Sequence, residues 1–319
     1  MRNNTINIIY GEILKFCKRK GLVKKLDNSM NVSEEKRFSS LSIDKRGLDI
    51  LDAVHCVTDK NRTLMFLDEI NKLVKKGDTV IEAGLGTGVL SFMASIKASK
   101  VYAFEINNSI YELSNEIKKQ LIKKRIIKDN LFFTKGDIRK IRLSLKADII
   151  ISENIYTGMF FEKQIDIVRF LKKSLKHDGQ FIPSGLKSSF FLCNINCGEK
   201  LKKNKLYVVS EMKYNPTYLS SRYTYDNIFF KNVSNLGVKS KTDLTIDRTG
   251  EINSLLICSD VLLPTGKYIS RFDTKFMNND ILISIPNSIK VEKGDKIRVS
   301  LSYLYGSNPS DAKILIKKL

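Results

Sequence analysis

Tryptophan is absent from the 319 residues, and histidine occurs only twice, at His55 and His177. Five cysteines stand scattered at 17, 56, 193, 197 and 258; Cys193 and Cys197 are four apart, but no second pair or histidine cluster follows. Zinc sites need clustered His and Cys ligands, so no metal centre is expected and the cysteines read as reduced structural thiols. No apolar run approaches the ~20 residues of a membrane span. The opening MRNNTINIIYGEILKFCKRKGLVKK has neither a long apolar core nor a small-residue cleavage site, so it does not read as a secretory signal. A cytoplasmic protein with no membrane partner is the expectation.

What the chain has in excess is positive charge, +21 from 55 Lys and Arg against 34 Asp and Glu. Such a balance invites a nucleic-acid partner. Lysine, asparagine and isoleucine are abundant together, however, as in a low-GC genome, and the lysines are spread along the whole chain. Without a concentrated stripe and interleaved aromatics, the charge reads as a solvated surface, and nucleic acid is not favoured. A hydrophobic content of 42% and a mean hydropathy of −0.18 are those of a globular protein, long enough for two domains.

Three regions differ in texture. Residues 1–45 are basic, with a helical pattern in NIIYGEILKFCKRK and a weaker one near NVSEEKRF. From 46 to 185, the strand-like runs DTVIEAG, KVYAFEI, NLFFTKG, ADIIISE and GQFIPSG alternate with stretches whose apolar residues recur at three-and-four spacing. That alternation predicts a parallel sheet with helices on both faces. Gly179, after Lys176-His177-Asp178, reads as a helix exit. From 186 to 319 short alternating runs separated by Gly, Asn, Asp and Pro predict an antiparallel β domain, a barrel or sandwich. The fold class is thus α/β, a Rossmann-like domain followed by an antiparallel β-barrel domain.

The stretch VIEAGLGTGVL places Gly84, Gly86 and Gly88 between a strand and a helix. Glycine there permits a tight turn and a close approach of backbone to ligand, which dinucleotide sites also use. The acid Glu82 disfavours a phosphate at this loop and suits a cationic amino-acid head. Glu105, ending VYAFE with Ile106 after it, can accept two ribose hydroxyls, and Asp137 in KGDI can take an adenine amino group. Together these favour S-adenosylmethionine over NAD.

With those residues in view, VIEAGLGTG, VYAFEI and GDI resemble the cofactor motifs of class I S-adenosylmethionine-dependent methyltransferases. Ser152-Glu153 through Glu162 resembles the double-glutamate loop S-E-x-M-G-x-x-L-x-x-E of protein arginine methyltransferases, and IPSG resembles the family's F-P-S/T. His55, Asp59, Arg62 and Thr63 are similar to its H…D-x-x-R-T segment. The resemblance implies S-adenosylmethionine as cofactor, Arg62 on its carboxylate, Glu105 and Ile106 at the ribose, and Asp137 and Ile138 at the adenine. It implies an arginine-containing substrate held by Glu153 and Glu162, and a homodimer. Ile155-Tyr156 replaces the Met-Gly of the loop, the family's Thr-His-Trp stretch near Phe276-Met277-Asn278 is missing, and residues 196–240 are shorter than the dimerisation arm. Another amine or hydroxyl acceptor is the second expectation, and a basic RNA-binding or partner-binding protein on the same scaffold the third.

Overall fold

The computed structural model of the chain describes residues 2–25, 49–195, 206–209, 216–274 and 280–319. The helical pattern near NVSEEKRF, Cys197 and Phe276-Met277-Asn278 lie outside the described residues. Two compact units emerge: Met1–Asn154 with Asp166–Ser184 and Leu263–Lys267, and Ile155–Ile165 with Gly185–Leu262 and Tyr268–Leu319.

The first unit opens with α1 (Arg2–Arg19), whose Ile9, Ile13 and Cys17 repeat every four residues and are fully buried. That stripe is what an amphipathic helix needs to hold itself on a core. Two helices that the run-by-run reading did not delimit follow, α2 (Ile50–Thr58) and α3 (Lys60–Leu73). Asp49 and Asp52 form a reciprocal capping box at the start of α2. Then come β1 (Thr79–Ala83), α4 (Val89–Ser95), β2 (Lys100–Glu105), α5 (Asn108–Lys123), β3 (Leu131–Lys135), β4 (Ala147–Ser152), α6 (Gln164–Leu171) and β5 (Leu175–Ile182). The five strands form one parallel sheet in the order β3-β2-β1-β4-β5, as the strand–helix alternation predicts.

Gly179 is a correction. It lies inside β5 and does not exit a helix, and its backbone is not left-handed. The β4–β5 register jumps from Ala147↔Leu175 to Ile149↔Gln180, so Lys176, His177 and Asp178 loop outward. A Cβ at Gly179 would lie 2.9 Å from the Asp148 carbonyl and 2.7 Å from Leu175. Basic residues followed by glycine mimic a helix end, but here glycine answers a close backbone approach.

The second unit contains β6 (Gly185–Asn194), β7 (Leu206–Val209), β8 (Thr217–Tyr218), β9 (Tyr223–Phe229), β10 (Gly237–Thr245), β11 (Gly250–Leu262), β12 (Tyr268–Ile269), β13 (Asp280–Val291), β14 (Lys296–Leu304) and β15 (Lys313–Lys318). The pairings are antiparallel and make two sheets, β7-β13-β11-β6-β8 (with β12 on β11 and β9 on β6) and β10-β14-β15. No ladder among the described residues closes them into one barrel. Phe160, Phe190, Leu255, Ile297, Val299 and Leu301 share their core. Each such side chain contributes about 1.5–3 kcal/mol by burial. The strands β9 and β15 escape a sequence reading because Tyr, Asp, Asn and Lys fill them.

Replacing Gly179 by alanine should lower stability by about 1–3 kcal/mol in urea unfolding, the cost of forcing a methyl into packed backbone. An unchanged midpoint would remove the close-approach explanation.

Candidate active site

The sheet order reverses between β1 and β4, and open α/β sheets bind ligands in the crevice at such a reversal, at the carboxyl ends of the strands. Ala83 pairs with Ser152 across it, so the glycine loop and the segment beginning at Glu153 leave from adjacent strand ends. Gly84, Gly86 and Gly88 have φ of +85°, +53° and +81°, conformations that other residues adopt only at a cost. At Gly84 a side chain would also collide, its Cβ 2.5 Å from Asn154 Oδ1. Asn154 sits there because its Nδ2 donates to the Ala83 carbonyl (2.9 Å). Gly88 begins α4, and its Cβ would strike the Phe92 ring at 2.7 Å.

The acids occupy three strand ends. Glu105 is buried and accepts from the backbone N–H of Gly86 (3.2 Å) and of Asn107 (2.8 Å). Burial raises its pKa, and these N–H bonds oppose the rise. It therefore ties the glycine loop to β2. Ile106 beside it is 47% exposed, an apolar surface left at the mouth of the sheet. Glu82, the last residue but one of β1, is 1% exposed and accepts from the Ser91 hydroxyl of α4. Burial pushes its carboxyl up to about 8. The expected anion facing a cationic head is therefore, at neutral pH, a largely protonated group held under α4. Asp137 grips Arg139 through both oxygens (2.9 and 2.7 Å), which holds its pKa below the usual carboxylate range. Ile138 follows it and is buried.

Arg62 lies one turn into α3, so the Asp59-x-x-Arg62-Thr63 spacing sets it just past the α2–α3 junction. Its Nη1 donates to the Cys56 carbonyl (3.1 Å), its guanidinium lies 5.6 Å from the Phe66 ring centre, and its Nη2 pairs with Glu153. The side chains of the pair are 6% and 13% exposed. The structure thus joins the arginine expected at the cofactor carboxylate to the first glutamate of the loop. Glu153 already holds a guanidinium.

Glu162 belongs to the second unit, at the end of a loop held at Gly158 by two pairs of hydroxyls. The Gly158 N–H donates to Ser259 Oγ (2.9 Å), and Ser259 meets Ser188 Oγ (3.0 Å). Tyr225 meets the Tyr303 hydroxyl (2.9 Å), and Tyr303 donates to the Gly158 carbonyl (2.8 Å). Because Tyr303 gives its one proton to the carbonyl, Tyr225 must donate to Tyr303. Met159 and Phe161 have left-handed φ of +58° and +59°, each costing about 1–3 kcal/mol. The Gly306 N–H on the Met159 carbonyl (2.7 Å), the Phe161 N–H on Ser307 (3.0 Å) and the Phe160–Tyr303 ring stack (4.2 Å) hold them there.

Ser91, Asn154, Ser188, Tyr225, Ser259 and Tyr303 carry this arrangement and were not singled out from the sequence. Only Asn154, inside the quoted loop, had a local signal. Among the described residues no cluster of His, Cys, Asp or Glu could hold a metal ion, and no helix is long and apolar enough to cross a membrane.

Left-handed glycines, a buried acid closing the second strand and an exposed aliphatic beside it suit a nucleoside cofactor. The family described as ribosomal protein L11 methyltransferase (PrmA) matches residues 59–189. The fold resembles that of class I S-adenosylmethionine-dependent methyltransferases, the protein arginine methyltransferases among them. An uncharacterised protein of Methanocaldococcus jannaschii is 25% identical over 81% of this chain and 93% of its own. Protein arginine N-methyltransferase 1 of Chlamydomonas reinhardtii is 30% identical over 44% of this chain and 40% of its own length. Among solved structures, the PRMT1 enzyme–prozyme heterotetrameric complex of Trypanosoma brucei with AdoHcy superposes with a TM-score of 0.68 at 17% identity, covering 83% of this chain and 92% of that one. Protein arginine methyltransferase 10 of Arabidopsis thaliana does so at 0.66 and 15%, covering 83% and 95%.

Because the folded-state pKa of Glu82 is raised to about 8, the stability it lends is full below its unfolded pKa and is lost as pH rises toward 8. Glu82→Gln should flatten that part of the melting-temperature profile between pH 5 and 8. Parallel profiles for the two proteins would show the carboxyl ionised throughout.

Proposed function

We propose that the chain transfers a methyl group from S-adenosylmethionine to a guanidino nitrogen of arginine, as the free amino acid or within a peptide or protein. The observation that carries this reading is the part-buried Arg62–Glu153 pair at the end of β4. A carboxylate there binds a guanidinium, and a planar fork of donors is what such a carboxylate recognises best. Glu153 and Glu162, nine residues apart on one loop, hold and orient the acceptor guanidinium, and a lone pair on its nitrogen attacks. When bound, the cofactor supplies an electrophilic methyl on a sulfonium.

In this reading Gly84, Gly86 and Gly88 shape the cofactor pocket, Glu105 and Ile106 take the ribose, and Asp137 and Ile138 take the adenine. Asp137 Oδ1 accepts both the backbone N–H and Nε of Arg139, whereas Oδ2 keeps a lone pair beyond its bond to Arg139 Nη2. Arg62 takes the cofactor carboxylate and so exchanges one anion for another, releasing Glu153 to the acceptor. Glu82 serves through Ser91 by fixing α4 against β1. The methyltransferase domain ends near residue 185, and residues 186–319 form the substrate domain.

One observation favours the second reading, another amine or hydroxyl acceptor. The Tyr156 hydroxyl, in place of the family's glycine, is buried with no hydrogen-bond partner among the described residues. Burial and the nearby Glu162 charge raise its pKa. A bulky phenol between the two glutamates suits an acceptor that offers it a hydrogen bond.

Labelled-methyl transfer to free arginine, arginine peptides, lysine peptides and small polyamines separates the two readings by which acceptor is modified. Glu153→Gln and Glu162→Gln should each cut kcat by about 100-fold or more while both variants still bind cofactor. Near-wild-type rates in both would sink the guanidinium assignment. Tyr303→Phe strips the Gly158 carbonyl of its donor, and kcat should fall about tenfold with cofactor affinity unchanged. A variant that loses stability but keeps kcat would limit the Tyr303–Gly158 bond to a structural part.

A further inference from the structure

We propose that the outer face of the three-stranded sheet β10-β14-β15 binds the phosphate backbone of a nucleic acid. One face of this sheet is apolar and turned to the core, with Val238, Ile297, Val299, Leu301 and Tyr303 all buried. Strand alternation turns the intervening residues the other way. In register, that outer face reads Lys239–Ser302–Lys313, Lys241–Ser300–Leu315, Asp243–Arg298–Lys317 and Thr245–Lys296. Its single acid, Asp243, is already occupied by both arms of Arg298 (2.7 Å each). Lys239, Lys241, Lys296, Lys313 and Lys317 remain, exposed and with no carboxylate in ion-pair reach among the described residues. Lys239 and Lys241 stand ~7 Å apart along β10 and the columns on β10 and β15 ~10 Å apart, about one Debye length of ~8 Å, so their fields overlap.

The pattern decides among the partners such a face could meet. Lysines guard sheet edges against mispairing, which would account for those on β10 and β15. It leaves Lys296 on the central strand unexplained. A protein partner would want an apolar, aromatic-rich centre, and the outward positions offer only Leu304 and Leu315. Phosphates are met by lysines together with neutral hydroxyl donors, and Ser300 and Ser302 lie between the lysine columns. No aromatic stands on the face to stack a base, so recognition is of backbone alone and independent of sequence. The lysines come from strands far apart in the chain, which is why the charge looks diffuse when read linearly. The inference does not rest on the identity of the methyl acceptor.

Fluorescence anisotropy with a labelled uridine oligonucleotide and a mixed-sequence duplex tests it. Five neutralised phosphates predict roughly a hundredfold loss of affinity between about 50 and about 200 mM salt for the single strand. The variants Lys239→Glu/Lys313→Glu and, separately, Lys241→Glu/Lys317→Glu should each weaken binding at least about tenfold at the lower salt and flatten the salt slope. All four lysines are exposed, so both proteins should melt as the wild type does. The pair Lys123→Glu/Lys128→Glu, exposed on the first unit, makes the same change in net charge elsewhere and should leave binding within about twofold. Equal losses from face and control pairs, no binding by the wild type, or displacement by polyglutamate as effective as by unlabelled oligonucleotide would each overturn the proposal.

Discussion

Everything at the candidate active site depends on the pairing of β1 with β4. That register puts the residue after Ala83 beside the residues after Ser152, and the crowding that results leaves room for no side chain at Gly84. Asn154 fills the space instead and locks the two strand ends by its bond to the Ala83 carbonyl. From this point the chain can present a glycine loop on one side and Glu153 on the other. Arg62, brought in by the α2–α3 junction, closes the arrangement from a third direction. A methyl donor and its acceptor need such neighbouring sites, because an in-line displacement gains most from positioning.

The second unit solves a different problem. The loop ending at Glu162 places two non-glycine residues in left-handed backbone, which no local preference supports. Its hold comes from the sheet beneath, through hydroxyls that meet both backbone groups of Gly158 in a dry setting where Ser188 and Ser259 are almost fully buried. Buried networks strengthen when fully satisfied and cost dearly when half satisfied. Together with the Phe160–Tyr303 stack and the Met159–Gly306 bond, these hydroxyls offset the backbone strain.

Much of the first unit was legible because its signals are local. Glycines at alternate positions, acids at strand ends and three-and-four spacing each report on a few consecutive residues. Arg62 and Glu153 are 91 positions apart, and only a motif resemblance brought them under one heading. Gly179 misled because a helix end and a backbone crossing both ask for glycine. Glu82 was read by its charge, whereas burial between β-sheet neighbours shifts its protonation. The hydroxyls around Gly158 were invisible for a plainer reason: serine and tyrosine on separate strands look like ordinary outward or interfacial positions until the sheet brings them together. The basic sheet face escaped in the same way, its cations drawn from three strands.

The two hydroxyls that hold Gly158 have a consequence for how this chain can change. Ser259 takes the backbone N–H and Tyr303 serves the carbonyl of one buried residue. Losing either hydroxyl strands a backbone group away from water. Ser259 and Tyr303 are thus tied to the loop they hold, and drift at one of them is tolerable only where another side chain takes over its bond.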